Sequence, residues 1–213
     1  MVGPAERVSP AGGRAYLRQS LDLDRKSLPL GMTVQIALLR AVNLGGATQV
    51  AMTDLRERVG RAGYSEVRSL LQSGNLVFRS RETSSEAVEQ HLNATLAPKL
   101  GASTEFFVRT ASEWRSIVER NPFPRESEAD PGHLLVTALR SAPSPEAWKR
   151  LAEAIVGRER VSGGGREAYI VYPDGVGRSK LTVRLIESKL GTRGTSRNWN
   201  TVQKLDAMAS RDP

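Results

Sequence analysis

The order of the predicted secondary-structure elements in the first half of the chain constrains its fold most strongly. The apolar run VQIALLR at Val34–Arg40 predicts a buried strand. The Ser73-Gly74 pair between two further strand-like runs predicts a tight hairpin turn. The resulting order of strand, helix, strand, strand, helix, strand is that of a ferredoxin-like plait. The predicted elements are a strand at 34–40, a helix at 53–62, strands at 67–71 and 75–78, a helix at 85–96 and a strand at 105–109.

The second half of the chain repeats much of this order. A capping-box pattern at Thr110–Glu113 predicts a linking helix, which the proline-rich Asn121–Pro124 ends before an acidic connector. The elements predicted beyond it are a strand at 134–139, a helix after Ser144-Pro145, strands at 158–161 and 168–172, and helices at about 180–190 and 200–209. We therefore predict an α+β protein with two ferredoxin-like (α/β-plait) subdomains, each with an antiparallel sheet, plus a C-terminal helix.

The predicted domain boundaries follow from this pattern. Residues 1–31 form an N-terminal extension, residues 32–125 form the first subdomain with its trailing helix, and residues 126–213 form the second subdomain with the C-terminal helix. The extension carries arginines without a central apolar block, so it is not a secretory signal. Its prolines and glycines predict a flexible tail, and a start codon assigned too far upstream would account for it.

The composition excludes several kinds of site. The chain has no cysteine, which rules out disulfides, thiolate metal sites, iron–sulfur clusters and a cysteine nucleophile. Its two histidines, His91 and His133, lie in different segments, so we predict neither a metal nor a cofactor. No apolar run approaches the roughly 20 residues of a membrane-spanning helix. We expect a cytoplasmic protein that does not bind a membrane.

The charge of the chain indicates an anionic partner. The net charge is +8 and the isoelectric point is about 10.3. Much of the excess is local, because the segment Val176–Lys204 contains seven basic residues and one acidic residue. A concentrated positive charge is typical of proteins that bind phosphorylated molecules or nucleic acid.

The segment Tyr172–Thr182 is the first candidate for an anion site. A predicted strand ends there, glycines permit unusual backbone angles, and Ser179 is placed to cap the following helix. Backbone N–H groups at a helix start, with Arg178 and Lys180 beside them, would bind a phosphate or a carboxylate. The alternative is a capped helix whose charges are merely solvated.

The start of the last predicted helix is the second candidate. Asn200 begins a capping-box pattern, although Asn198 would serve as the cap if Trp199 lay in the first turn. Either register leaves one asparagine without a capping role. Arg197 and Lys204 lie near the helix start, where the helix dipole disfavours cations unless an anion is bound. The alternative is that Trp199 simply packs in the core.

Two further polar clusters stand at strand ends, Arg40 with Asn43 and Gln72 with Asn75. Turn formation explains Asn75 but not Gln72. No Ser–His–Asp set and no carboxylate pair is evident, so catalysis has little support. The first strand of each predicted plait also lacks aromatic residues, which disfavours base stacking of the kind that RNA-reading plaits use.

Five ordered motifs resemble those of the bacterial domain-of-unknown-function family 1697. They are ALLRAVNLGG (Ala37–Gly46), QSGNLVF (Gln72–Phe78), NPF (Asn121–Phe123), GVGRSKLT (Gly175–Thr182) and GTSRNWNTVQKL (Gly194–Leu205). The resemblance runs from about Val34 to Met208 and implies two ferredoxin-like subdomains, but it implies no activity. Ala41 and Ser196 depart from it, because the family usually has Gly and Ala at these positions.

The leading hypothesis is a binding module for an anionic ligand, either a phosphorylated or nucleotide-like small molecule or a nucleic-acid backbone. One alternative is an enzyme acting on a phosphorylated or carboxylated small molecule with Asp174, Glu187 or Ser179. The other alternative is a structural or protein-interaction role. The candidate ligand-binding residues are Arg40, Asn43, Gln72, Asn75, Arg178, Ser179, Lys180, Arg197, Asn198, Trp199, Asn200 and Lys204.

Overall fold

A computed structural model of the chain describes residues 31–40, 51–71, 74–100 and 104–211. The predictions for the N-terminal extension, for Asn43 and for Gln72 therefore lie outside the described residues. Residues from Met32 onward form one compact unit. Among the described residues, no helix combines the length and the apolar composition that crossing a membrane requires.

The described strands form two four-stranded antiparallel sheets. The first sheet has the strand order β2-β3-β1-β4, and the second has the equivalent order β6-β7-β5-β8. Both are ferredoxin-like plaits, so the predicted fold class is confirmed. The strands are β1 (Thr33–Arg40), β2 (Ser65–Leu70), β3 (Asn75–Ser80), β4 (Glu105–Thr110), β5 (Leu134–Leu139), β6 (Arg160–Gly164), β7 (Glu167–Val171) and β8 (Gly194–Asn198).

The helices cover both faces of each sheet. The outer face of the first sheet packs against α1, α2 and α3, and the outer face of the second packs against α6 and α7. The predicted boundary between the two subdomains, after residue 125, lies within α5. The division of the chain at this point stays a prediction. The helices are α1 (Met52–Arg61), α2 (Ser85–Thr95), α3 (Ala97–Leu100), α4 (Ala111–Glu119), α5 (Pro124–Ala129), α6 (Pro145–Glu153), α7 (Val183–Leu190) and α8 (Trp199–Ser210).

The two sheets share a single core that α4 and α8 complete. Ile36 of the first sheet and Val136 of the second belong to the same buried cluster as Trp114 of α4 and Trp199 of α8. The indole N–H of Trp114 donates to the carbonyl oxygen of Val202 at 3.1 Å, which joins the two helices. Burial of two indole rings contributes strongly to such a core. The two plaits therefore pack as one body around α4 and α8.

Helix starts follow the predicted capping chemistry in one place and differ from it in another. Thr110 and Glu113 form a reciprocal capping box at α4, as predicted. At α7, however, the N-cap is Thr182, whose hydroxyl accepts from Leu185 N at 3.2 Å. The prediction that Ser179 caps this helix is wrong because the chain first buries Leu181 and begins the helix only at Val183.

The last strand and the last helix also differ from the prediction. The sequence did not predict β8, which pairs with β5 at the edge of the second sheet. Asn198 ends this strand and caps α8, since its side-chain oxygen accepts from the backbone N–H of Thr201 at 3.0 Å. The alternative register, with Trp199 in the first turn, is therefore confirmed, and the capping box beginning at Asn200 is wrong.

Candidate functional site

Arg197 lies where the two sheets meet. Its backbone pairs with Val136 in the second sheet, and its guanidinium reaches the first sheet, donating to Asn75 Oδ1 at 2.5 Å and to the Leu39 carbonyl oxygen at 2.9 Å. It also donates to Thr195 Oγ1 at 3.0 Å. Partial burial removes water from the guanidinium and lowers the pKa of Arg197 to about 10. Arg197 and Asn75 thus join the two plaits.

Arg40 makes a second connection between the plaits. It lies at the end of β1 and forms a two-pronged ion pair with Glu187 of α7, in which Arg40 Nη2 donates to Glu187 Oε2 at 3.2 Å. The two side chains are only 16% and 18% exposed. Glu187 Oε1 also accepts the backbone N–H of Gly194 at 2.8 Å, so this carboxylate holds the start of β8 as well.

Glu89 centres a buried ion-pair network at the same junction. Its carboxylate lies 2.7 Å from Arg140, 3.4 Å from Arg166 and 3.8 Å from Arg109, and it accepts the Val108 N–H at 2.7 Å. Arg140 and Arg166 belong to the second plait, whereas Glu89 and Arg109 belong to the first. The sequence did not predict this network, because its members are scattered along the chain and no local pattern connects them.

The other residues predicted around the start of α8 divide between the core and the surface. Trp199 is buried in the shared core, and its backbone N–H donates to the Pro131 carbonyl oxygen at 3.1 Å. Asn198 is occupied by capping. Asn200 and Lys204 are exposed. Packing and capping therefore account for Trp199 and Asn198, and Asn200 is the asparagine without a capping role.

Arg178, Ser179 and Lys180 line a separate cleft of about 210 Å³, which we call the second-plait cleft. A single 3-10 turn at Val176–Arg178 carries the chain past the cleft. Gly175 begins this turn with a φ of +83°, which is strained for other residues, and a Cβ there would lie 3.4 Å from His133 Nε2. The lining residues are Val156, Gly157, Arg158, Glu159, Asp174, Arg178, Ser179 and Lys180.

The two carboxylates of the second-plait cleft are already occupied. Asp174 forms a two-pronged ion pair with Arg158, and the hydrogen bond from that guanidinium holds the pKa of Asp174 below its usual value. Glu159 accepts the hydroxyl of Ser179, which itself accepts the N–H of Leu181 at 2.9 Å. The sequence did not predict Arg158 and Glu159 as site residues, because they precede β6 and belong to no motif.

Arg178 and Lys180 are the available cations of the second-plait cleft. Both side chains are exposed, and neither lies within ion-pair distance of a carboxylate in the part of the chain that the structure describes. Val156 is 75% exposed and Val176 is 44% exposed, so apolar surface lies beside the two charges. The cleft therefore presents positive charge next to an uncovered apolar edge.

The starts of α7 and α8 do not share this cleft. The segments that follow β7 and β8 lie at the same end of the second sheet, but β5 separates the two strands. The turn before β5 bonds to both segments, because His133 O accepts from Tyr172 N at 2.9 Å and Pro131 O accepts from Trp199 N. Residues 197–200 are not among those that line the second-plait cleft.

Among the described residues, no group of three or more histidine, aspartate or glutamate side chains is placed to hold a metal ion. The candidate acids Asp174 and Glu187 are both ion-paired with arginines, to Arg158 and Arg40 respectively. The exposed side chains of Arg178 and Lys180 are able to donate charge-assisted hydrogen bonds.

Comparisons with known proteins identify a family and a similar fold. A family model described as "Protein of unknown function (DUF1697)" matches residues 32–169. Among curated proteins, none matches the sequence significantly. The solved structure of the conserved bacterial protein SP0830 from Streptococcus pneumoniae is similar, with 20% sequence identity and a TM-score of 0.64. The match covers 84% of this chain and 99% of that chain, and at this identity it shows the fold alone.

Proposed function

Since the chain belongs to the DUF1697 family, whose description states no function, we propose from the site itself that it is a binding module for an anionic ligand. The ligand is a phosphorylated or nucleotide-like molecule, or a nucleic-acid backbone, and one of its phosphate groups is held at the second-plait cleft. Arg178 and Lys180 supply the charge. A cytoplasmic location stays a prediction.

The observation that carries the proposal is the pair of cations that Arg178 and Lys180 present to a cleft whose carboxylates are already occupied. Asp174 pairs with Arg158 and Glu159 accepts the Ser179 hydroxyl, and among the described residues neither carboxylate forms an ion pair with Arg178 or Lys180. Exposed charges of this kind gain from an anion through charge-assisted hydrogen bonds, which are stronger than bonds between neutral groups.

The size of the cleft supports recognition of one group rather than of a whole molecule. Its volume of about 210 Å³ is smaller than the roughly 300–1,000 Å³ of typical small-molecule pockets. A single phosphate fits such a cleft, and the rest of the ligand then lies over the exposed side chains of Val156 and Val176. A sugar or a base would cover this apolar edge.

Arg40, Asn75 and Arg197 have a different role in this proposal from the one that the sequence suggested. Their charged and amide groups bond across the junction between the plaits, so they stabilise the scaffold that carries the cleft. The ion pairs of Asp174 with Arg158 and of Glu187 with Arg40 favour binding over catalysis.

The proposal is tested by measuring binding of pyrophosphate and of a short single-stranded DNA by isothermal titration calorimetry. We expect the double variant Arg178→Gln/Lys180→Gln to weaken binding at the second-plait cleft at least about tenfold, which is the effect of losing one charge-assisted hydrogen bond. Arg184→Gln removes an exposed cation of α7 that does not line the cleft, and it serves as the matched control. Equal affinity of the double variant and the wild type would contradict the proposal.

The salt dependence of the affinity separates the two classes of ligand. Binding of a nucleic-acid backbone releases condensed counterions, so its affinity falls steeply as the salt concentration rises. If the affinity for the DNA falls steeply with salt concentration in the wild type and less steeply in the double variant, the partner is a nucleic acid. Tighter binding of pyrophosphate than of the DNA indicates a small phosphorylated ligand.

A further inference from the structure

A larger cleft lies on the outer side of the first plait, between α1 and the α2–α3 segment, and we call it the first-plait cleft. Its volume is about 430 Å³. Its floor includes the apolar residues Ala62 and Leu96, and its rim is basic. The residues that line it are Arg58, Arg61, Ala62, His91, Thr95, Leu96 and Lys99.

The spacing of residues along two helices creates this basic rim. Arg58 and Arg61 lie three positions apart at the end of α1 and therefore share one helix face. His91 and Thr95 lie four positions apart on α2 and share the facing side. Lys99 of α3 completes the rim. No sequence motif marked these residues, because they come from three helices.

Nearby carboxylates neutralise the positive charge of the rim only weakly. Asp54 pairs with Arg58 at 2.8 Å, and Glu57 pairs with Arg61 at 2.9 Å, but neither carboxylate lines the cleft. The side chains of the Arg61 pair are 74% and 57% exposed, and exposed pairs at this spacing contribute little. Within the described ranges, Lys99 has no carboxylate within ion-pair distance. An incoming anion would therefore displace weak contacts.

A buried tyrosine holds the imidazole ring of His91 in place beside the cleft. The hydroxyl of Tyr64 lies 2.8 Å from His91 Nδ1. Burial raises the pKa of Tyr64 to about 12, so the phenol keeps its proton at neutral pH. A phenol that donates to Nδ1 leaves the imidazole proton on Nε2, and the ring then presents an N–H donor beside the cations.

We propose that the first-plait cleft is a second binding site and that its ligand is a small molecule carrying a phosphate or diphosphate group. Arg61 and Lys99 bind the phosphate oxygens together with Arg58 and the His91 N–H. The apolar floor contacts the rest of the molecule. Unlike the second-plait cleft, this cleft falls within the roughly 300–1,000 Å³ range of small-molecule sites, which favours a whole small ligand over one phosphate of a polymer. The inference does not depend on the proposed function of the other cleft.

The test uses the full chain with Arg178→Gln/Lys180→Gln as the background, so that the second-plait cleft does not contribute. In calorimetric titrations of this background with pyrophosphate and with ATP, we expect one binding site. Adding Arg61→Gln/Lys99→Gln should weaken binding at least about tenfold, the effect of losing a charge-assisted hydrogen bond. Both side chains are exposed, and an unchanged melting temperature checks that the variant is folded.

The matched control is Arg56→Gln, which removes a cation of α1 that does not line the cleft. We expect affinity within about twofold of the background, as for a surface substitution outside a site. Absence of binding in the background overturns the proposal, and so does equal weakening by Arg56→Gln. A single-stranded DNA that binds more tightly than ATP, with a steep salt dependence, would overturn the assignment to a small molecule.

Discussion

The ion pair between Arg40 and Glu187 should stabilise the junction of the two plaits measurably. At a separation of 3.2 Å between Nη2 and Oε2, two unit charges attract by about 5 kcal/mol at an effective dielectric constant of about 20. Desolvation of the two groups, which are 16% and 18% exposed, offsets part of this attraction. We expect Arg40→Met and Glu187→Gln each to lower the free energy of unfolding by about 3 kcal/mol, because each leaves a partly buried charge without its nearest partner. Without Glu187, Arg40 keeps only the longer contact to Glu105 at 4.0 Å.

A double-mutant cycle isolates the interaction from the other contacts of each residue. Urea unfolding of the wild type, both single variants and the double variant should give a coupling free energy of about 2 kcal/mol. Lys149→Met with Glu153→Gln is the matched control, because this pair is separated by 4.0 Å on α6 and is exposed. We expect coupling of at most about 0.5 kcal/mol there. Coupling between Arg40 and Glu187 no larger than that would refute the role of Arg40 at the junction.

Two further substitutions test local features, each against a neighbouring control. Asn198→Ala removes the N-cap of α8 and should cost about 1 kcal/mol in urea unfolding, whereas Asn200→Ala should change stability by no more than about 0.5 kcal/mol. Gly163→Ala would place a Cβ against a ring carbon of Trp148 and 2.6 Å from the Glu167 carbonyl oxygen, so we expect a loss of about 1–3 kcal/mol. Gly164→Ala meets nothing within 4 Å and should cost clearly less. Equal effects within either pair would contradict these roles.

Local patterns predicted most of the fold correctly. Buried strands such as β1 and β5 have continuous apolar runs, and the helices combine apolar spacing with caps such as Thr110 and Ser144. The order of these elements then indicates the plait. Few topologies accommodate two strand–helix–strand units that are joined by a hairpin. Fold class therefore followed from information within short stretches of sequence.

Strand β8 could not be recognised in this way, because its sequence GTSRN has no apolar alternation. It forms a strand because it pairs with β5, and close packing requires a glycine at its first position, Gly194. A Cβ on Gly194 would lie 2.7 Å from Thr137 Cγ2 and 3.0 Å from the Ala138 carbonyl oxygen. Tertiary contacts override local preference here.

The candidate site was predicted less well than the fold because it depends on long-range placement. The cap of α7 is Thr182 and not the predicted Ser179, because the chain buries Leu181 before the helix begins at Val183. The hydrogen bond from Arg197 to Asn75 joins residues 122 positions apart and exists only because the two sheets face a shared core. No single-sequence pattern reports such a distance, so the sequence predicts Arg197 as a ligand-binding cation rather than as a link between the sheets.

The claim that a phosphate group is held by Arg178 and Lys180 is tested most directly by mapping amide chemical shifts during a titration with pyrophosphate. We expect concentration-dependent shifts of the backbone amides from Gly177 to Lys180, and these shifts should disappear in Arg178→Gln/Lys180→Gln. Amides of Arg197 to Asn200, which lie outside the second-plait cleft, should move much less. Saturation without shifts in the 177–180 segment, or shifts concentrated at 197–200, would contradict the account.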